Sequence, residues 1–70
     1  MGLRDTEYYK HFQKSKFDAV MIAEGVDEAD EEEEALAAWQ FLHDSGMAYQ
    51  LQGWFGRAAT NLIEAGRIEA

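Results

Sequence analysis

The chain has no cysteine and no proline. The first absence excludes disulfides and fits a reducing compartment. The second removes the residue that most often breaks a helix. Histidine is scarce as well: His11 and His43 are the only imidazoles, too few nitrogen ligands to suggest a structural metal site. No apolar run approaches the roughly 20 residues that span a bilayer, and the opening MGLRDTEYYK lacks the apolar segment of a signal peptide. Basic residues number six against fourteen acids, a net charge of −8. That balance opposes direct nucleic-acid binding, in which neutralising phosphates supplies most of the affinity.

Aromatic residues are plentiful, with two Trp, three Tyr and four Phe in 70 residues. A chain this short has a marginal core, and large rings bury the most area per residue, so they favour tight packing or self-association. Ala, Glu, Leu and Gln dominate the remainder, a composition that predicts an all-α domain. The acidity is local. Residues 1–23 carry +1, residues 24–34 carry −8 with no base, and residues 35–70 carry −1.

Apolar spacing predicts a single domain over 1–70 with helices at 5–24, 28–45 and 47–65 and an acidic connection at 25–30. Tyr8, Phe12, Ala19 and Ile22 form the first stripe, widened by Tyr9, Phe17, Val20 and Met21. Within it HFQKSKF is the weakest stretch, and Ser15 is the place for a break. Gly25 reads as a helix stop, with Val26 as the contact beyond it. Asp27 or Asp30 is positioned to cap the second helix, Asp30 and Glu33 with capping-box spacing. Its stripe is Ala35, Ala38, Trp39 and Leu42, flanked by Leu36 and Phe41, and Gly46 closes it. Leu51, Phe55, Ala58 or Ala59, Leu62 and Ile63 make the third stripe. Gly66 stands at its C′ position, with Ile68 beyond. The last two helices are expected to form an antiparallel hairpin with the first packed across it.

Two glycines, Gly53 and Gly56, fall inside the third pattern, each at a cost of about 1 kcal/mol in a helix interior. With Thr60 they share one face that is almost bare of side chains. The favoured reading is a helix-packing surface onto which another backbone or the ring of Trp39 settles, so that a bulky residue at 53 disrupts folding or assembly. The alternative is a helix broken near QGWFG, with the glycines serving a turn.

The stretch DEEEEALAAWQFLHDSGMAYQLQGWFGRAATNLIEAG resembles a family of small uncharacterised proteins encoded by tailed bacteriophages. Its signature runs L-I-D-[ST]-G, then L-Q-G-x-[YF]-G-R-x-A-x-x-L-I-E-x-G. Leu51, Gln52, Gly53, Phe55, Gly56, Arg57, Ala59, Leu62, Ile63, Glu64 and Gly66 match the second part. His43 stands where the pattern prefers Ile, and Trp54 where many relatives carry a small polar residue. The resemblance covers about residues 17–66. It implies a phage product acting in the cytoplasm of an infected bacterium and brings no activity with it.

No catalytic constellation is present. His43, Asp44 and Ser45 have the residue types of a triad, but sequence neighbours at a helix end point in different directions. GWFG lacks the Lys-Ser/Thr pair of a phosphate loop, and DEADEEEE lacks the glycine and ligand spacing of an EF-hand. Neither a cofactor nor a metal is called for. What remains are contact residues. Glu31, Glu32, Glu33 and Glu34 form either a solvated helix start or a negative surface for a basic groove. Trp54 is an aromatic anchor if it is exposed and core if the first helix covers it. Arg57 is expected to pair with an acid of the first or second helix. The leading expectation is a non-enzymatic phage accessory protein that binds a host or phage protein. A structural homo-oligomeric bundle is the alternative, and a helix-turn-helix DNA regulator is disfavoured by charge.

Overall fold

The computed structural model describes residues 2–25, 29 and 31–70. Every regular element among them is helical: α1 at Glu7–Lys14, α2 at Lys16–Ala23, α3 at Glu32–Asp44 and α4 at Gly53–Glu64, with 3-10 turns at Leu3–Asp5 and Met47–Tyr49. The all-α expectation holds. Val26, Asp27, Glu28 and Asp30 lie outside the described residues, and with them the contact beyond Gly25 and both expected caps of the second helix.

Thr6 starts α1, its hydroxyl accepting from the Tyr9 N–H at 3.2 Å, a side-chain cap that satisfies an otherwise orphaned donor. The expected first helix is two helices. The break falls at Ser15, where φ is −140° and ψ is 74°. There the chain is pinned across the corner by His11, whose Nε2 lies 2.7 Å from an Asp18 carboxylate oxygen. Phe12 and Ala19 are buried on either side of the break, whereas Phe17 keeps 70 % of its surface. Phe17 therefore does not widen the core face. Within α2 it lies two residues before the buried Ala19, on nearly the opposite side at about 100° per residue.

Helix α3 is the hub. It packs chiefly on α1 and α2, also on both 3-10 turns, and more sparsely on α4. The expected centre was the hairpin of the last two helices; α3 occupies that position itself. Ala37, Ala38, Phe41 and Leu42 are all buried, and the alanines let neighbouring helices come close. Tyr9 meets Phe41 edge-on at 5.9 Å, while Trp39 meets Phe55 at 5.8 Å. Gln40, absent from every apolar stripe, is fully buried.

Gly25, Gly46 and Gly66 follow their helices with φ of 79°, 81° and 75°, the left-handed geometry that favours glycine at C′. After α4 the Gly66 N–H reaches Ile63 O at 3.0 Å and the Arg67 N–H reaches Leu62 O at 2.9 Å. That pair is a Schellman motif, and it turns Ile68 inward to a buried position.

The last helix departs from expectation at its start. It begins at Gly53 rather than near residue 47, so residues 45–52 form a connection that carries the second 3-10 turn. Gly53 is thus the first residue of α4 and Gly56 lies in its first turn. Neither occupies a helix middle, where the glycine penalty would apply in full.

Candidate functional site

Four residues tie the two ends of the described chain to the C-terminal half of α3. The Asp44 carboxylate receives Arg4 through Nε at 2.7 Å and Nη2 at 2.8 Å. It also accepts from the Tyr9 hydroxyl at 2.6 Å and Gln40 Nε2 at 3.1 Å. Gln40 in turn donates to Glu69 O at 2.9 Å and accepts from the Glu69 N–H at 2.7 Å. With only 19 % of its side chain exposed, Asp44 is held as the anion, and the guanidinium beside it lowers its pKa to about 2. The same carboxylate raises Arg4. Burial and the Asp44 hydrogen bond push the Tyr9 phenol up to about 12. Each Asp44 oxygen takes two donors, and both protons of the Gln40 amide are used. The cluster is a structural clamp.

The acidic start of α3 is also engaged. Glu31 accepts from the Tyr8 hydroxyl at 2.7 Å, which raises that phenol to about 12. Glu32 pairs with Arg67. Glu33 is exposed, and Glu34 also has an interaction of its own. The run is therefore neither a uniformly solvated start nor a free negative face. Part of it holds α1 and the C-terminal tail.

The other feature is an open groove of about 480 Å³ between the second 3-10 turn and α4. Gly53, Gly56 and Thr60 give it a floor of small residues, and Ala48, Tyr49, Leu51, Arg57 and Asn61 complete its lining. The bare strip is thus real, but no helix covers it, and Gly53 and Thr60 are exposed. Trp39 lies elsewhere, against Trp54 at 6.2 Å and Phe55. Gly56 alone is packed as expected: a Cβ there would lie 3.4 Å from the Tyr49 ring and 3.6 Å from Ala48 O. At Gly53 a Cβ would meet only the Arg57 guanidinium, at 3.2 Å. The missing side chain leaves room for that head group to fold back over the start of the helix.

Tyr49 is half exposed yet positioned. Its hydroxyl lies 2.5 Å from His43 Nδ1, and the two rings meet edge-on at 5.6 Å. Trp54 stacks on Phe55 with centroids 4.0 Å apart, donates its indole N–H to Gln52 at 3.2 Å and retains 38 % exposure. Its cover is Trp39 and Phe55, not the first helix. Arg57 forms no ion pair among the described residues, so the expected partner in the first or second helix is not there. Among the described residues the exposed large apolar ones are Phe17, Tyr49, Leu51 and Trp54; Tyr49 and Leu51 line the groove, and Trp54 is the immediate neighbour of Gly53.

The family model for a domain of unknown function, DUF7417, matches residues 18–70. The chain belongs to this family. The DUF7417 match takes in all of α3, the second 3-10 turn and α4, and hence the whole groove. Arg4, Tyr9 and Phe12, which complete the clamp and the core, precede it. Comparison with curated proteins and with solved structures finds no match to the chain. Among the described residues no group of three or more His, Cys, Asp or Glu is placed to hold a metal ion, and no helix is long and apolar enough to cross a membrane.

Sequence reasoning found part of the groove and gave it the wrong relation. Spacing placed Gly53, Gly56 and Thr60 on one face, and all three line the groove, but Ala48, Tyr49 and Asn61 were missed. It carried no sign that the helix starts at Gly53. It also missed Asp44 and Gln40 as the centre of the clamp, whose partners lie up to 40 residues away.

Proposed function

We propose that this is a non-enzymatic protein-binding module, a phage accessory product acting in the cytoplasm of an infected bacterium, and that the groove beside α4 is its contact surface. The observation that carries the reading is the gathering of Tyr49, Leu51 and Arg57 around an uncovered floor of small residues, with the half-exposed Trp54 next to Gly53 in the chain. Exposed aromatic and arginine side chains around a concave surface are the usual anchors of protein recognition. The two departures from the phage signature, His43 and Trp54, bear on the same region: His43 orients Tyr49, and Trp54 adjoins the floor. Net charge disfavours DNA as the partner. Self-assembly into a homo-oligomer is the second reading, favoured by Phe17 as an exposed aromatic on a different element.

Photo-cross-linking in living cells tests the proposal. A benzophenone amino acid is placed at Asn61, in the groove wall, or at the exposed Gln13 on α1. The expected result is one discrete adduct with another protein from position 61 and none from position 13. Equal labelling from both positions, or none from 61, contradicts it; an adduct at the mass of two copies supports the homo-oligomer.

A further inference from the structure

We infer that the groove takes a peptide segment bearing one carboxylate close to a large apolar side chain and otherwise free of acids. The inference rests on the groove being a protein-binding site and adds the chemistry of its occupant.

Arg57 supplies the first half of the argument. The other two arginines are matched internally, Arg4 with Asp44 and Glu69 and Arg67 with Glu32. Arg57 has no such partner among the described residues, and no acid lines the groove it borders. Glu64 lies on the same helical face but about 10 Å further along the axis, at 1.5 Å rise per residue. A guanidinium laid over Gly53 presents planar paired donors, which match a carboxylate. Beside it Tyr49 and Leu51, at 50 % and 37 % exposure, offer apolar area over a floor without bulk. An aliphatic or aromatic side chain fits there, one short step from the anion on Arg57.

The second half comes from the whole charge. At −8 the protein repels polyanions and strongly acidic segments at long range. A nucleic acid presents many phosphates to a single unpaired arginine and is repelled by the rest. The occupant therefore carries its negative charge at one point, with neutral or basic flanks that suit the surrounding field.

The test pans displayed random peptides of roughly a dozen residues against the full chain, then measures binding of synthetic copies by fluorescence anisotropy. The expected winners place Asp or Glu within a few residues of Leu, Phe, Tyr or Trp. Arg57→Gln, at an exposed position that leaves the fold intact, weakens them about tenfold, the value of one charge-assisted contact. Converting the peptide acid to its amide weakens binding to the parent protein by a similar factor and adds nothing further on Arg57→Gln. Asn61→Trp, which fills the groove from its wall, abolishes binding. If winners need an open groove but are indifferent to Arg57→Gln and to loss of their acid, the carboxylate inference is overturned while the groove remains a binding site. If no winner responds to Asn61→Trp, both fall.

Discussion

Asp44 shows how one carboxylate organises a small protein. Its partners are Arg4 and Tyr9 from the N-terminal segment and, through Gln40, the backbone of Glu69. Asp44→Ala strands four donor groups on three residues at once, and chemical denaturation is expected to show a loss of about 1–3 kcal/mol, the penalty for leaving such groups unsatisfied. Because Asp44 titrates near 2 in the folded state, against an ordinary 3.8, its contribution is complete above the ordinary value. It is lost as pH falls from about 4 towards 2. Tyr8 and Tyr9 act in the opposite direction. Their folded values of about 12 exceed the ordinary 10, so their contribution is complete below 10 and disappears as pH rises towards 12. A denaturation series across pH is therefore expected to fall at both ends, and Asp44→Asn to flatten the acid limb. The glycines separate at this scale as well. Gly53→Ala meets only a mobile guanidinium and is expected to raise stability by about 0.4–1 kcal/mol by restricting the unfolded chain. Gly56→Leu drives into Tyr49 and the Ala48 carbonyl and is expected to cost about 1–3 kcal/mol through overpacking.

Elements were legible where local chemistry defines them. Helix ends at Gly25, Gly46 and Gly66 follow from sequence alone, because a left-handed C′ position favours glycine. In α3 the buried Ala38, Phe41 and Leu42 follow from its period, whereas the buried Ala37 lies outside the expected stripe and Ala35 and Trp39 are only partly covered. Less legible was the start of α4, since Met47 to Gln52 continues the apolar pattern of a helix while only Met47–Tyr49 is regular, as a 3-10 turn. There Tyr49 leaves the helical register to reach His43, a contact that no periodicity encodes. Gln40 escaped for a related reason. Its burial depends on a backbone segment 29 residues away that pairs with both ends of its amide. Gln40→Leu keeps the volume but deprives Glu69 of both partners. Hydrogen exchange is expected to show the amides of residues 67–69 losing protection while those of α3 keep theirs; loss of protection throughout α3 would contradict a local role for the amide.

At the scale of the molecule the N-terminal segment completes the core although the family match begins at residue 18. Phe12 is fully buried against α3. Phe12→Ala is expected to cost about 3–5 kcal/mol, comparable with the whole stability of a domain this small. Circular dichroism should find that variant largely unfolded at room temperature. A stable, helical Phe12→Ala protein would show that residues 18–70 carry the fold by themselves. The same scale explains why the groove can stay open. Its floor is glycine and threonine, its packing against α3 is sparse, and the clamp that secures the fold lies elsewhere. A residue there is free to serve a contact.

The groove as contact surface is tested most directly by amide chemical-shift mapping of the isotopically labelled protein on addition of the segment recovered from the Asn61 cross-link. The account predicts that shifts concentrate at residues 48–61, with Gly53, Gly56 and Arg57 foremost, and leave α1 and α2 unchanged. Shifts centred on Phe17 or on the acidic start of α3 would contradict it.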